Sequence, residues 1–547
     1  MYHDLALFFT WLFLVYFLAY HTFNFTLLVM AFADVRKRLW MRALDDPDLL
    51  LGSPYTPPIS MLVPAYNEAV TISASLHSLM ALRLPRFEII VVNDGSKDKT
   101  LDVLQQTLGL RRRDFPYRPG IATARVRGLY EATIPLPPAV ERIIVVDKEN
   151  GGKADALNAG INASVCPYVI SMDADSVIDD VALLQILRVL LERPDVAAVG
   201  GQVAVANGCK IQGGRLVEVG LPKSHLARIQ IVEYVRSFTA ARTALSRMNA
   251  LLIVSGVFCI FEKELLIRVG GYLTEHLKSR LVHEYAGRGT STVCEDMEIV
   301  VRLHRYLQEK GLGKVILSLP YPICWTEVPE RAGDLAKQRG RWFRGFVEIL
   351  VYHRHMLFNP RYGAAGLVGW PSLFLFDFLG LFIEAFGYLS LPVFFALRIL
   401  SIKYLFLFLA VAFGYGALVS VLSLLVAFWS EPADPHEKRG RPLLAALPAR
   451  QIALLLLYCI VENFGYRQMT IRWRFKGLVD YLRGKKSWEK FERIGFGEQP
   501  AAGAGRPGAA PAAAATTAAT VSATASAAAT VAASSDANPA PARIPVA

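Results

Sequence analysis

Glu88-Ile-Ile-Val-Val-Asn-Asp-Gly-Ser96 decides how this chain folds. A run of β-branched apolar residues without polar alternation predicts a strand buried on both faces, as in a parallel sheet covered by helices. The run ends in a carboxylate and a glycine, and the glycine permits a tight turn there. Ligands of parallel sheets bind at that carboxyl edge.

Similar runs lie on both sides. Met61-Leu-Val-Pro-Ala-Tyr-Asn-Glu68 precedes it, and Arg142-Ile-Ile-Val-Val146 and Tyr168-Val-Ile-Ser-Met172 follow, separated by helical patterns such as 181–192. Strands alternating with helices over residues 55–335 predict an α/β domain with a parallel sheet.

Polar residues gather just beyond these runs. Asp94 is placed to accept hydrogen bonds from a base or ribose, although any αβ turn could carry the same residues. Gly151-Gly-Lys-Ala-Asp-Ala-Leu-Asn158 leads a glycine pair and Lys153 into a helical pattern, which makes an anion site suited to a diphosphate. The spacing is not that of a P-loop. Asp173-Ala-Asp175 places two carboxylates beyond a strand, where both can approach one divalent cation bridging a diphosphate. The same pair would also serve as an acidic cap for the helix that follows.

The flanks are apolar. Residues 5–33 form an almost unbroken apolar stretch, longer than a signal-peptide core and followed by Arg36, Lys37 and Arg38, so a transmembrane helix with its following domain in the cytoplasm is expected. An uncleaved secretion signal is the other reading. Apolar stretches return at 363–399, 403–429 and 451–466 as spans or half-spans, and Asp377, Glu384, Glu462 and Asn463 within them call for a cavity or a partner. Between 337 and 356, Trp342, Phe346, Ile349 and Leu350 share one face, which predicts a helix in the membrane interface. After Gly497 the chain is Ala, Pro, Thr and Ser with almost no charge, the composition of a disordered tail.

Composition agrees with a membrane protein: of 547 residues, 53% are hydrophobic and only 19% charged. Cytoplasmic lysines and arginines account for the net charge of +12, and no nucleic-acid reader motif accompanies it. The six cysteines show no C-x-x-C spacing and read as reduced core residues.

Taken in order, Tyr66-Asn-Glu68, Asp94-Gly-Ser96, Gly152-Lys-Ala-x-Ala-Leu-Asn158, Asp173-x-Asp175, Glu295-Asp296 and Gln338-x-x-Arg341-Trp342 resemble the processive family 2 glycosyltransferases. Cellulose, chitin, hyaluronan and poly-N-acetylglucosamine synthases belong to that group. The resemblance implies a GT-A fold with the nucleobase and ribose held around Tyr66, Glu68 and Asp94. Lys153 would face the diphosphate, and Asp175, with Asp173 nearby, would carry Mg²⁺ or Mn²⁺. Asp296 would be the general base, and Gln338, Arg341 and Trp342 would flank the leaving diphosphate and the acceptor sugar. Ser255-Gly256 resembles the acceptor-side loop, though a core turn would explain it as well. Two positions depart from the pattern: Asn93 stands where the family often has a second Asp, and Cys294 where it has Thr. The segment 96–142, with Arg111, Arg112 and Arg113, reads as a surface insertion.

The expected organisation is a transmembrane helix at 1–35, a cytoplasmic GT-A domain at 36–335, and the interface helix at 336–360. A transmembrane region at 361–470, a basic juxtamembrane segment at 471–497 and the tail at 498–547 follow. The expected activity is inverting, metal-dependent polymerisation from a UDP-sugar, with N-acetylglucosamine first and glucose second, into an exported β-linked polysaccharide at the plasma (inner) membrane. Its partners would be the UDP-sugar donor, a growing glycan or lipid-linked acceptor, and the bilayer, with no nucleic acid; no export partner is named by the sequence. Transfer of one sugar to a lipid carrier is the rival reading, and a catalytically silent transporter or scaffold is a third. Span parity poses a problem: a cytoplasmic domain and a cytoplasmic basic segment need an even number of crossings between them, yet three stretches are visible.

Overall fold

A computed structural model describes residues 2–42, 47–113, 117, 119–173, 176–212, 215–277, 282–284, 291–399, 402–430, 444 and 447–485. Asp175 and the 498–547 segment lie outside the described residues.

The strands are β1 (Ile59–Ala65), β2 (Phe87–Asp94), β3 (Arg111–Arg112), β4 (Val126–Glu131), β5 (Val140–Lys148), β6 (Tyr168–Met172), β7 (Val177–Ile178), β8 (Val196–Val205), β9 (Lys210–Gln212), β10 (Arg215–Glu218), β11 (Phe258–Glu262) and β12 (Val315–Thr326). Ten of them form one sheet in the order β3-β4-β5-β2-β1-β6-β11-β8-β12-β7. Its centre, β5-β2-β1-β6, is parallel, and β11 joins β6 antiparallel. The turns that follow β1, β2, β5 and β6 therefore share one edge.

Alternation along the central strands builds two cores. Ile59, Met61, Val63, Ile89, Val91, Ile143 and Val145 face the helices Ile72–Met80, Thr100–Leu108 and Asp180–Glu192. Leu62, Ile90, Val92, Ile144 and Val146 face the helices Lys153–Ala163, Lys263–Arg268 and Glu295–Glu309 on the other side. Both faces are covered, so the strands read as unbroken apolar runs rather than alternating ones. In the 96–142 segment, β3 and β4 extend the sheet antiparallel from β5, so part of the expected surface insertion is an edge of the sheet.

Among the described residues, three helices are long and apolar enough to cross a membrane: Leu7–Lys37, Ala365–Ala396 and Ile402–Ser430. The stretch expected at 451–466 instead holds the 13-residue helix Ala449–Val461, short of the roughly 20 residues a crossing needs. A turn at Gly465 then leads into the helix Tyr466–Leu482, which runs through the expected boundary at 470. It lies against the helix Ala332–Tyr352 so closely that a β-carbon on Gly477 would sit 2.3 Å from the Gly340 carbonyl oxygen. Among the described residues, two helices of crossing length lie between these two touching segments.

The 332–352 helix is packed against protein on two sides. Ile349 and Leu350 meet Met297, Val301 and Trp370, while Phe343 and Val347 meet Leu381 and Ile471.

Candidate functional site

Every expected site residue among those described lines one continuous cavity of about 1260 Å³. It opens on the carboxyl edge of the sheet at Tyr66, Glu68 and Asp94, passes Lys153 and Asp173, and reaches Asp296 beside Ser255 and Gly256. From there it passes Gln338, Arg341 and Trp342 and continues between the apolar helices to Tyr20, Glu384 and Glu462.

At the first end, the turn after β1 is stitched to the turn after β2. Lys97 N donates to Asn67 Oδ1 at 2.8 Å, Glu68 N to Thr100 Oγ1 at 2.9 Å and Ala69 N to Asp98 Oδ2 at 3.1 Å. Asn67 holds a left-handed backbone at φ 56°, a conformation Asn tolerates better than most residues.

Asp94 is occupied by its own chain. Its carboxylate accepts from Lys148 Nζ at 2.5 Å, Gly151 N at 3.0 Å and Gly152 N at 2.8 Å, so it ties down the glycine pair that introduces Lys153. Gly152, at φ 86°, begins that helix with a backbone that suits only glycine. Fully buried Lys148 also reaches Asp155 Oδ1 at 2.7 Å. Removing one partner from such a buried ionic group costs roughly 3–5 kcal/mol, because it leaves an unpaired charge away from water. Lys148 and Asp155 were not singled out by sequence, since only the register Asp94↔Lys148 brings them under the site.

Lys153 is engaged with carboxylates. Its Nζ donates to Asp173 Oδ1 at 2.6 Å and to the Gly256 carbonyl at 3.0 Å, and lies 3.5 Å from Glu295 Oε1. Burial alone would lower its pKa, but Asp173 and Glu295 outweigh burial and hold the ammonium above its ordinary value. Burial raises the Glu295 carboxyl, with Lys153 pulling against it and Asp296 adding to the rise. Asp296 occupies the first turn of the 295–309 helix, where the helix dipole favours an anion, and its Oδ1 accepts from Met297 N at 2.9 Å. The Ser255 hydroxyl accepts from Val257 N at 3.2 Å, which shapes the turn that brings Gly256 against Asp296.

Among the described residues no three His, Cys, Asp or Glu side chains converge on a metal position. Asp173 does present carboxylate oxygens to the cavity wall, hard donors that fit Mg²⁺ or Mn²⁺, while its expected companion Asp175 is outside the described residues. Gln338 Oε1 is buried and has no hydrogen-bond partner among the described residues, so an acceptor atom stands available on the wall.

Other wall residues carried no motif. The helix beginning at His225 widens into a π-helical turn at Arg236–Arg242, which brings Arg236, Ser237, Phe238 and Arg242 to the cavity. A one-residue widening breaks the 3.6-residue period, so a helical pattern does not reveal that face. The carboxylates among the apolar helices find arginines: Glu384 pairs with Arg467 at 2.6 Å, Glu462 with Arg236, and Asp377 with Arg474 at 3.7 Å. The charges in the apolar stretches were visible in sequence; their partners were not. All six cysteines are free thiols.

The family model described as Glycosyl transferase family group 2 matches residues 168–459, more than half of the chain, and that of Glycosyl transferase family 2 matches residues 60–135. The chain belongs to Glycosyl transferase family group 2. It is a glycosyltransferase, and its α/β domain is a GT-A fold flanked by apolar helices. The transferase is 30% identical over 294 residues to a poly-beta-1,6-N-acetyl-D-glucosamine synthase of Staphylococcus epidermidis, covering 54% of this chain and 55% of that protein. Identity to the protein of the same name from Staphylococcus aureus is 28% over 293 residues, with 54% and 55% covered. The match thus spans about half the length of these relatives. Among solved structures it is similar to a mannosyltransferase from Pyrobaculum calidifontis in complex with GDP-Man and Mn²⁺, with 17% identity, a TM-score of 0.41, and 85% of this chain and 100% of that one covered.

Proposed function

We propose that this transferase polymerises sugar from a UDP-sugar donor into an exported β-linked polysaccharide, inverting the anomeric carbon. UDP-N-acetylglucosamine is the first donor candidate and UDP-glucose the second. The observation that carries this reading is the single cavity that joins the sheet's carboxyl edge to the space among the apolar helices. A transferase releasing small products needs no such continuation.

In this reading Tyr66 and Glu68 hold the nucleobase and ribose, together with the loop that Asp94 ties. Asp175 and Asp173 would hold a Mg²⁺ or Mn²⁺, which supplies neutralisation of the charge developing on the diphosphate. Lys153 is a second cation for that charge, and Gln338 and Arg341 flank the leaving group. Asp296 takes the proton of the acceptor hydroxyl as its oxygen bonds to the anomeric carbon and the bond to the diphosphate breaks. Attack from the face opposite the diphosphate inverts the centre. Trp342 offers an aromatic face to the acceptor sugar, and the small Gly256 lets the acceptor approach.

Arg36, Lys37 and Arg38 follow the apolar stretch 5–33 within the helix Tyr2–Arg42, which favours a cytoplasmic transferase domain in a multi-pass inner-membrane protein. The two long helices found among the described residues between 352 and 466 support the same side for the 466–482 helix. Incubating membranes with a panel of labelled UDP-sugars, then sizing the product and determining its anomeric linkage, tests the whole reading. A high-molecular-weight β-linked product from one donor is expected. A lipid carrying a single sugar would replace polymerisation with the lipid-carrier reading, and no transfer from any UDP-sugar would remove both.

A further inference from the structure

Trp342 does not stand alone on the cavity wall. The guanidinium of Arg339, three residues earlier on the same helix, lies 4.6 Å from the centre of its ring, within cation–π range. Glu233, from the helix His225–Val235, holds that guanidinium by a two-pronged contact: Nη1 donates to Oε1 at 2.9 Å and Nη2 to Oε2 at 2.7 Å. The hydroxyl of Tyr466, at the start of the 466–482 helix, donates to the same Oε2 at 2.8 Å. Three helices from distant parts of the chain thus converge behind one ring, and all four residues line the cavity. None of Glu233, Arg339 and Tyr466 has a role in the scheme above.

The arrangement has a directional consequence. A guanidinium over one face of an indole leaves only the other face for a sugar. Arginine has a long, rotamer-rich side chain, and a bidentate carboxylate fixes the plane of its fork as a single hydrogen bond does not. We propose that Glu233, Arg339 and Tyr466 form a brace that fixes Trp342 as a one-sided platform for the acceptor glycan, with Glu233 and Arg339 acting as positioning residues. The proposal rests on the reading of Trp342 as the acceptor platform.

The test uses the full-length protein in lipid nanodiscs and compares Glu233→Gln, Arg339→Gln, the double variant and Tyr466→Phe. Equilibrium binding of oligosaccharides of N-acetylglucosamine and of glucose is measured without donor, alongside UDP affinity and the thermal midpoint. Oligosaccharide affinity is expected to fall about 3- to 30-fold in each of the first two variants, the range that losing a cation–π contact spans. The double variant should bind no more weakly than the weaker single, because both changes undo one brace. UDP affinity should stay within about twofold of the parent, a split that general destabilisation would not produce. If Glu233→Gln fails to fold, Tyr466→Phe carries the test: it removes one hydrogen bond, strands no charge, and should still lower glycan affinity. Additive losses, or unchanged glycan affinity in folded variants of a parent that binds glycan, would overturn the brace and leave the acceptor reading standing. A parent protein that binds none of the oligosaccharides would overturn both.

Discussion

A β-carbon added to Gly256 would lie 2.9 Å from Oδ2 of Asp296. That contact is tighter than side chains tolerate, and its yielding partner is the end of the Asp296 side chain. Gly256→Ala should therefore displace the carboxylate with little cost to the fold. A displacement near 1 Å at a reacting group can cost about 10²-fold in rate. Transfer should fall by that order while UDP affinity and thermal midpoint stay near the parent values; unchanged transfer would detach Gly256 from the reacting centre.

Asp296→Asn preserves shape and removes the ability to accept a proton. Transfer should drop by about 10²–10⁴-fold with UDP affinity retained. If Glu295 and Asp296 only cap their helix, Asn would serve nearly as well and activity would survive. Near-normal transfer by the Asn variant would make Glu295 the next candidate.

Removing divalent metal with EDTA should abolish transfer, and Asp175→Ala should lose both transfer and metal-dependent UDP binding. The reason is that a diphosphate departs poorly while its charge is uncompensated. Titrating UDP with and without Mn²⁺ reads the effect directly, and full activity in EDTA would end the metal assignment.

Acid should destabilise the protein through a buried network behind the site. Glu298 pairs with Arg302 at 2.7 Å, and His353 joins them, with Nε2 3.3 Å from Glu298 Oε1 and Nδ1 3.2 Å from Arg305 Nη1. Burial raises the Glu298 pKa, but Arg302 and His353 outweigh it and bring it to about 2, below its ordinary 4.5. Burial lowers that of His353, although Glu298 pulls the other way. Both folded values lie below the unfolded ones, so both groups contribute stability at neutral pH that is lost on acidification. His353 begins to lose its contribution as pH falls below its ordinary 6.5, and Glu298 loses its own between about 4.5 and about 2. The thermal midpoint measured against pH should fall in that order, and His353→Gln should flatten the upper part of the curve. A midpoint indifferent to pH from 7 down to about 4 would contradict the assignment.

Much of this was legible in one dimension because the constraints are local. A strand buried on both faces must be apolar throughout, so the runs at 61–65, 88–92, 142–146 and 168–172 announced the parallel sheet, and residues just past parallel strands must share an edge. Among the described residues, the candidate site residues from Tyr66 to Trp342 line one cavity. Sequence was less informative where one residue's surroundings come from several elements. It suggested an interface helix at 337–356, but an amphipathic pattern does not say which protein segments the helix meets, and Ile349 and Leu350 join one core cluster while Phe343 and Val347 join another.

The sequence by itself determined the class of fold, the order of the motifs, the apolar helices and the chemistry available at each strand end, because each depends on neighbours within a few positions. Only the tertiary structure decided which charges meet. Asp94 is satisfied by Lys148 and the glycine pair, Lys153 rests on Asp173, and Glu233 reaches Arg339 across 106 residues. An ion pair forms where folding brings opposite charges within a few ångströms away from water, and sequence separation carries no record of that distance.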